Sequence, residues 1–107
     1  MGWKNLNLEY REIIVITKEL PRYRCHKEVW ALKIKSVLRY DITYETKEND
    51  GSAVLHFFDD SYPPIRVSFD YVFKNNPFAG GYYVVHNDGY ASWSSAEAFE
   101  SGYTLIP

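Results

Sequence analysis

Cys25 and His26 are adjacent in the chain, and a thiol beside an imidazole is the first pair here whose chemistry could be catalytic. A cysteine nucleophile needs a base within hydrogen-bond reach and a third group to orient that base. Neighbours on a strand point to opposite faces, which carries His26 away from Cys25. The expectation is a buried, inert cysteine. Metal binding is no better supported, because Cys25 and the three histidines, His26, His56 and His86, are scattered without close ligand spacing. Asp59-Asp60 could do acid–base work or hold Mg²⁺. It precedes Ser61-Tyr62-Pro63-Pro64, however, and reads as a solvated loop with an Asp-Ser turn. Gly80 and Gly81 lack the Lys-Ser/Thr partner of a phosphate loop and suit a sharp bend before a strand. No catalytic residue, metal ligand set or cofactor is expected, and the protein reads as a non-enzyme.

Two constellations suit binding better than catalysis. Arg22, Tyr23, Arg24 and Lys27, followed by Lys33, Lys35 and Arg39, interleave cations with an aromatic ring. Arginine grips phosphate bidentately and tyrosine stacks on bases, so this strip fits a nucleotide or a single strand of nucleic acid. Solvated strand faces account for the same residues. Duplex DNA fits worse, given a pI of about 5.9 and an acidic second half. The other constellation is aromatic: residues 80–104, GGYYVVHNDGYASWSSAEAFESGYT, hold Tyr82, Tyr83, Tyr90, Trp93, Phe99 and Tyr103. Tyrosine and tryptophan are enriched in the energetic centres of protein interfaces, and Tyr82, Tyr90, Trp93 and Tyr103 are the expected protein-binding residues.

The chain that must position these groups has 107 residues, enough for one domain with a modest core. Aromatics make up 18% of it, led by ten tyrosines, more than a core of this size needs. Residues 1–40 carry nine Lys/Arg against four Asp/Glu, and residues 41–107 carry three against ten. Such asymmetry marks either a basic face for an anionic partner or two halves whose fields cancel on packing. A lone cysteine, no signal-like apolar leader and no apolar run of membrane-spanning length make a reducing cytosol the expected compartment, with no membrane partner.

Residue patterning predicts an α+β fold. The run IIVIT predicts a strand over 12–18. Trp30, Leu32 and Ile34 alternate with Ala31, Lys33 and Lys35, the period of a half-buried strand. Asn49-Asp50-Gly51 predicts a hairpin joining DITYETK to SAVLHFF. Asn87-Asp88-Gly89 predicts a second, with Asp88-Gly89 as a two-residue turn pairing Val85 with Ser92 and Val84 with Trp93. A short strand is expected at Ile65–Val67. Ser68 is the expected N-cap of a helical turn stopped by Asn75, Asn76 and Pro77. Ser95 precedes a second short helix with Gly102 as its C′ residue, and YTLIP ends as a strand or an extended tail. The expected architecture is an antiparallel, twisted sheet of about five strands, curling towards a barrel, with two short helices. Open sheet edges and surface aromatics make a homodimer an expectation as well.

Two segments, YRCHKEVWALKI at 23–34 and the GGYYVV…DGYASWS…EAFESGYT ending, occur in the same order as in a family of small proteins encoded by tailed bacteriophages and prophages, which this chain resembles. The likeness spans 23–106. It makes residues 1–20 a variable N-terminal extension and 21–107 the family-like core of a single domain. The chain departs from the pattern at His86-Asn87, where Tyr-Glu is commoner, and at Ser95, where proline usually opens the helix. The resemblance implies phage origin and residence in the host bacterial cytoplasm, and it brings no catalytic residues. Three functions follow as expectations. The first is a phage accessory protein that binds a host bacterial protein, inhibiting a defence or housekeeping function. The second is a protein that sequesters a nucleotide signal through the basic strip. The third is a virion or assembly component.

Overall fold

The computed structural model describes residues 20–43 and 45–107. The strand expected over 12–18 lies outside them. Five strands form one antiparallel sheet: β1 (Trp30–Arg39), β2 (Ala53–Phe57), β3 (Ile65–Val67), β4 (Tyr82–Val85) and β5 (Ala91–Ser94), in the order β3-β2-β1-β4-β5. Two helices, α1 (Phe69–Asn75) and α2 (Ala96–Gly102), complete the expected α+β architecture.

β1 is the spine. Its first four residues pair with β4, Trp30 opposite Val85 and Lys33 opposite Tyr82. From Ile34 onward it pairs with β2, ending with Arg39 opposite Ala53. Between Ile34 and Ser36 two residues of β1 advance against one of β2, so Lys35 sits in a bulge that bends the strand. The bend curls the sheet into a half-barrel. Ile34, at the crossing point, is fully buried and bonds through its backbone to Gly80 and Gly81, both at 2.8 Å.

The concave side holds the core: Ile34, Ala53, Leu55, Phe57 and Val67 from the sheet, and Tyr71 and Val72 from α1. Leu32, Tyr83, Ala91 and Trp93 pack against it. Ser68 caps α1 by accepting the Tyr71 N–H at 3.3 Å, and Asn76 closes it in the left-handed region at φ 44°. Directed by these caps, α1 leaves edge strand β3 and reaches edge strand β5. The Tyr71 hydroxyl donates to the Ser92 carbonyl at 2.8 Å, and Asn75 Oδ1 accepts the Trp93 N–H at 3.2 Å. The two ends of the open sheet are thereby joined.

Several expectations are corrected. DITYETK forms no strand among its described residues: 40–43 and 45–52 belong to a connection closed by Tyr40 N–H to Ser52 carbonyl and Gly51 N–H to Tyr40 carbonyl. β2 is five residues long and is matched by the C-terminal half of β1, so 41–47 has no strand left to pair. In the second hairpin Val85 faces Ala91, Val84 faces Ser92 and Tyr83 faces Trp93, one residue away from the expected register. The loop is three residues long: the Gly89 N–H reaches the His86 carbonyl, the His86 N–H reaches the Tyr90 carbonyl, and Gly89 is the residue of this turn with positive φ, at 87°. Gly102 is the last residue of α2 rather than a left-handed C′, and Tyr103 caps the helix in an extended conformation. Residues 103–107 are an extended, exposed tail. Cys25 is exposed and precedes β1, where the sequence predicted a buried strand position.

Candidate protein-interaction surfaces

The one-residue register shift redistributes the aromatic set, because it moves every side chain of β5 to the other face. Trp93 falls on the concave side with Tyr83. Its indole lies 4.5 Å from the Phe78 ring centroid and directly over Gly81, where any Cβ would collide with it. Nε1 of this indole is buried with no hydrogen-bond partner among the described residues. Trp93 is a packing residue.

Tyr82 lies on the convex face and starts a ladder with α2. Its ring stacks on Phe99 at 4.2 Å between centroids, and Phe99 stacks on Tyr103 at 4.6 Å. Phe99 and Tyr103 are four residues apart, the spacing that aligns side chains on one helix face. Glu100 accepts a hydrogen bond from the Tyr82 hydroxyl at 2.7 Å and another from Lys33 Nζ at 3.2 Å. These two bonds, the tyrosine's first, hold the Glu100 carboxyl below its usual range. The same bond pushes the Tyr82 hydroxyl above its usual range. No residue of α2 is buried, so this ladder and ion pair are its main hold on the sheet. Tyr90 projects from the hairpin tip, its ring 5.6 Å from that of His86. Tyr82 and Tyr103 therefore share one surface, Tyr90 stands at the end of the sheet, and Trp93 packs half-buried on the concave side.

The basic residues are likewise separated. Arg22, Tyr23, Arg24 and Lys27 lie in the exposed segment 20–28, with Tyr23 92% exposed. Lys33 belongs to the convex face and sits 5.8 Å over the Tyr82 ring, while Lys35 is in the bulge of β1. Asp59 accepts from the Ser61 backbone and hydroxyl, forming the expected Asp-Ser turn.

A third surface was not expected from the sequence. At the far end of β1, a shallow open groove of about 320 Å³ is lined by Asp50, Ser52, Arg66, Val67, Ser68 and Phe69. Arg66 donates to Ser52 at 2.8 Å and lies 4.8 Å from the Tyr40 ring centroid. Hydrogen bonds from the Ser52 hydroxyl and backbone hold Asp50 below the usual carboxylate range. Phe69 and Phe73 stack at 5.7 Å, and Phe73 is 78% exposed. Ile42 flanks Gly51 beside Phe69. The i, i+4 spacing of the two phenylalanines was the available signal. Among the described residues no group of three or more side chains could hold a metal ion, and no helix is long and apolar enough to cross a membrane.

No family model matches the sequence, and neither does any curated protein. The structure is similar to that of the monomeric form of the phage L decoration protein, solved in solution by NMR, with a TM-score of 0.53 and 33% sequence identity. That similarity covers 80% of this chain and 59% of the decoration protein, so the chain spans less than two thirds of its neighbour's length. The association with phage implied by the sequence motifs is thus supported by a solved phage structure.

Proposed function

We propose that this protein is a virion component of the decoration type, a non-enzymatic domain that attaches to the outside of a phage capsid. The observation that carries the reading is the 33% identity with the phage L decoration protein over 80% of the chain. The sites agree with this role. Attachment to a particle needs a firm body and exposed contact side chains, whereas a ligand-binding or catalytic role needs an enclosed pocket with convergent polar groups. Here the sheet and α1 make the body, and Tyr90 and Tyr103 remain 51% and 40% exposed for contact. Of the three expectations drawn from the sequence, this reading favours the virion component over a protein that binds a host target. The partner surface is then the capsid, and the working location is the particle rather than the host cytoplasm.

The test is biochemical. Particles of the encoding phage are purified, analysed by mass spectrometry, and particles lacking the protein are mixed with purified protein and sedimented. The protein is expected in the particles and in the pellet with them, and a Tyr90→Ala/Tyr103→Ala variant is expected to pellet less. Absence from particles together with no co-sedimentation overturns the reading.

A further inference from the structure

We propose that the arm Leu20–Glu28 is a site of limited proteolysis, cut after Arg22 and Arg24 by an arginine-specific endoprotease, and that residues 25–107 fold without the part removed. The step is a hydrolysis. Water adds across the peptide bond, leaving a carboxylate on the arginine and an ammonium group on Tyr23 or Cys25. The enzyme's side of the contact follows from the guanidinium, whose planar fork is held bidentately by a carboxylate in a specificity pocket.

An endoprotease draws its substrate into a cleft as extended chain, and the arm meets that requirement. All nine of its residues are exposed and none belongs to a helix or strand. Pro21 fixes its own φ and keeps Leu20 out of the helical region, so the chain enters the site extended. Among the described residues the arm's hydrogen bond is a local one, from the Lys27 N–H to Cys25 Sγ at 3.4 Å, and its backbone makes none with the sheet. Engaging the arm therefore breaks no bond of the sheet among the described residues. Exposed segments of this kind are where nicking concentrates.

The other arginines among the described residues supply the contrast. Arg39 ends β1 opposite Ala53, and Arg66 lies in β3 opposite Val54. Arg39 meets Asp41 at 3.6 Å and Asn76 at 3.0 Å. Arg66 is held by Ser52 and covers the Tyr40 ring. Arg22 and Arg24 have no carboxylate partner among the described residues. A protease reaches Arg39 or Arg66 only after strands separate, whereas the arm is open to it in the native state. No other described segment outside helix and strand contains an arginine. The buried cluster from Ile34 to Val72 and the bonds that tie α1 to β5 all lie beyond Glu28, so the cut removes none of them. The inference concerns the arm and the folded unit behind it and does not rest on capsid attachment.

Digestion of the full chain with an arginine-specific endoprotease under native conditions, followed by intact-mass spectrometry, tests it. Products beginning at Tyr23 and Cys25 are expected, forming at least about tenfold faster than cuts after Arg39 or Arg66. The purified 25–107 product is expected to resist further digestion and to melt cooperatively within about 4 °C of the full chain. Arg22→Gln/Arg24→Gln, at exposed positions, is expected to yield neither product and to melt as the wild type does. Cleavage after Arg39 or Arg66 at a comparable rate overturns the proposal. So does a persistent wild-type species in which the bonds after Arg22 and Arg24 stay intact. A 25–107 product without a cooperative melt overturns it as well, because the part removed would then belong to the folded unit.

Discussion

Asn75 and Trp93 are joined across the open side of the half-barrel, the Trp93 N–H donating to Asn75 Oδ1 at 3.2 Å. The same amide donates through Nδ2 to the Tyr71 carbonyl at 3.0 Å, so one side chain both ends α1 and covers edge strand β5. An open sheet of this kind exposes two edges to other chains, and this bond removes a donor from one of them.

Replacing Asn75 with Ala is expected to destabilise the fold by about 1–2 kcal/mol, because it leaves the partly buried Trp93 N–H without a partner. Urea denaturation measures the loss. Asn75→Asp keeps the acceptor for Trp93 and is expected to lie between the two.

Trp93 and Tyr103 are both aromatic candidates for binding in the sequence, and the structure separates their roles. Trp93→Ala is expected to cost roughly 3 kcal/mol, the scale for removing a large ring from a core. Tyr103→Ala, at the exposed end of the ladder, is expected to cost less than about 1 kcal/mol. Thermal melts of the two variants decide it. Equal losses would place Trp93 on the surface.

Gly81 and Gly102 make an internal contrast. A methyl group on Gly81 meets the Trp93 indole, while one on Gly102 meets nothing within 4 Å. Gly81→Ala is expected to lose about 1–3 kcal/mol through overpacking and to shift the tryptophan emission. Gly102→Ala, in helical backbone, is expected to be neutral or slightly stabilising by up to about 0.5 kcal/mol.

Docking of α2 should depend on pH at both extremes. The Glu100 carboxyl is held below its ordinary 4.5 by Tyr82 and Lys33. A depressed folded-state value means that its contribution is complete above pH 4.5 and is lost as pH falls through the folded value. Tyr82 has the opposite shift, raised from 10.0, so its contribution is complete below that pH and is lost as pH rises through the folded value. Melting temperature measured against pH should therefore separate wild type from Glu100→Gln at neutral pH and bring them together in acid. Parallel curves would show that the ion pair holds nothing.

The parts of this fold that were legible in the sequence are those set by neighbouring residues. Ser68 and Ser95 cap their helices because a hydroxyl reaches the N–H three residues on, a purely local geometry. The alternation from Trp30 to Lys35 marks β1, and Asp59-Ser61 folds its own turn. The α+β class followed from such signals, and the phage association from the resemblance of two longer segments to a phage family. The functional surface was less legible, since Tyr82, Tyr90, Trp93 and Tyr103 are equally aromatic in the sequence and only their placement tells them apart.

Tertiary structure decided that placement. Asn87-Asp88-Gly89 can close either a two-residue or a three-residue loop, and the two differ by one step of register. In the shorter loop Trp93 would point outward with Tyr82, and Ser92 would face the core. In the longer one the indole packs over Gly81 and against Phe78, and burial of a large ring outweighs the small difference between turns. The same competition left the described residues of 41–47 without a strand partner, because the ten residues of β1 were already shared between β2 and β4. Caps and turns are determined within a few residues of chain. Register and facing are determined by which apolar side chains find each other across the sheet, and no single segment of the sequence contains that information.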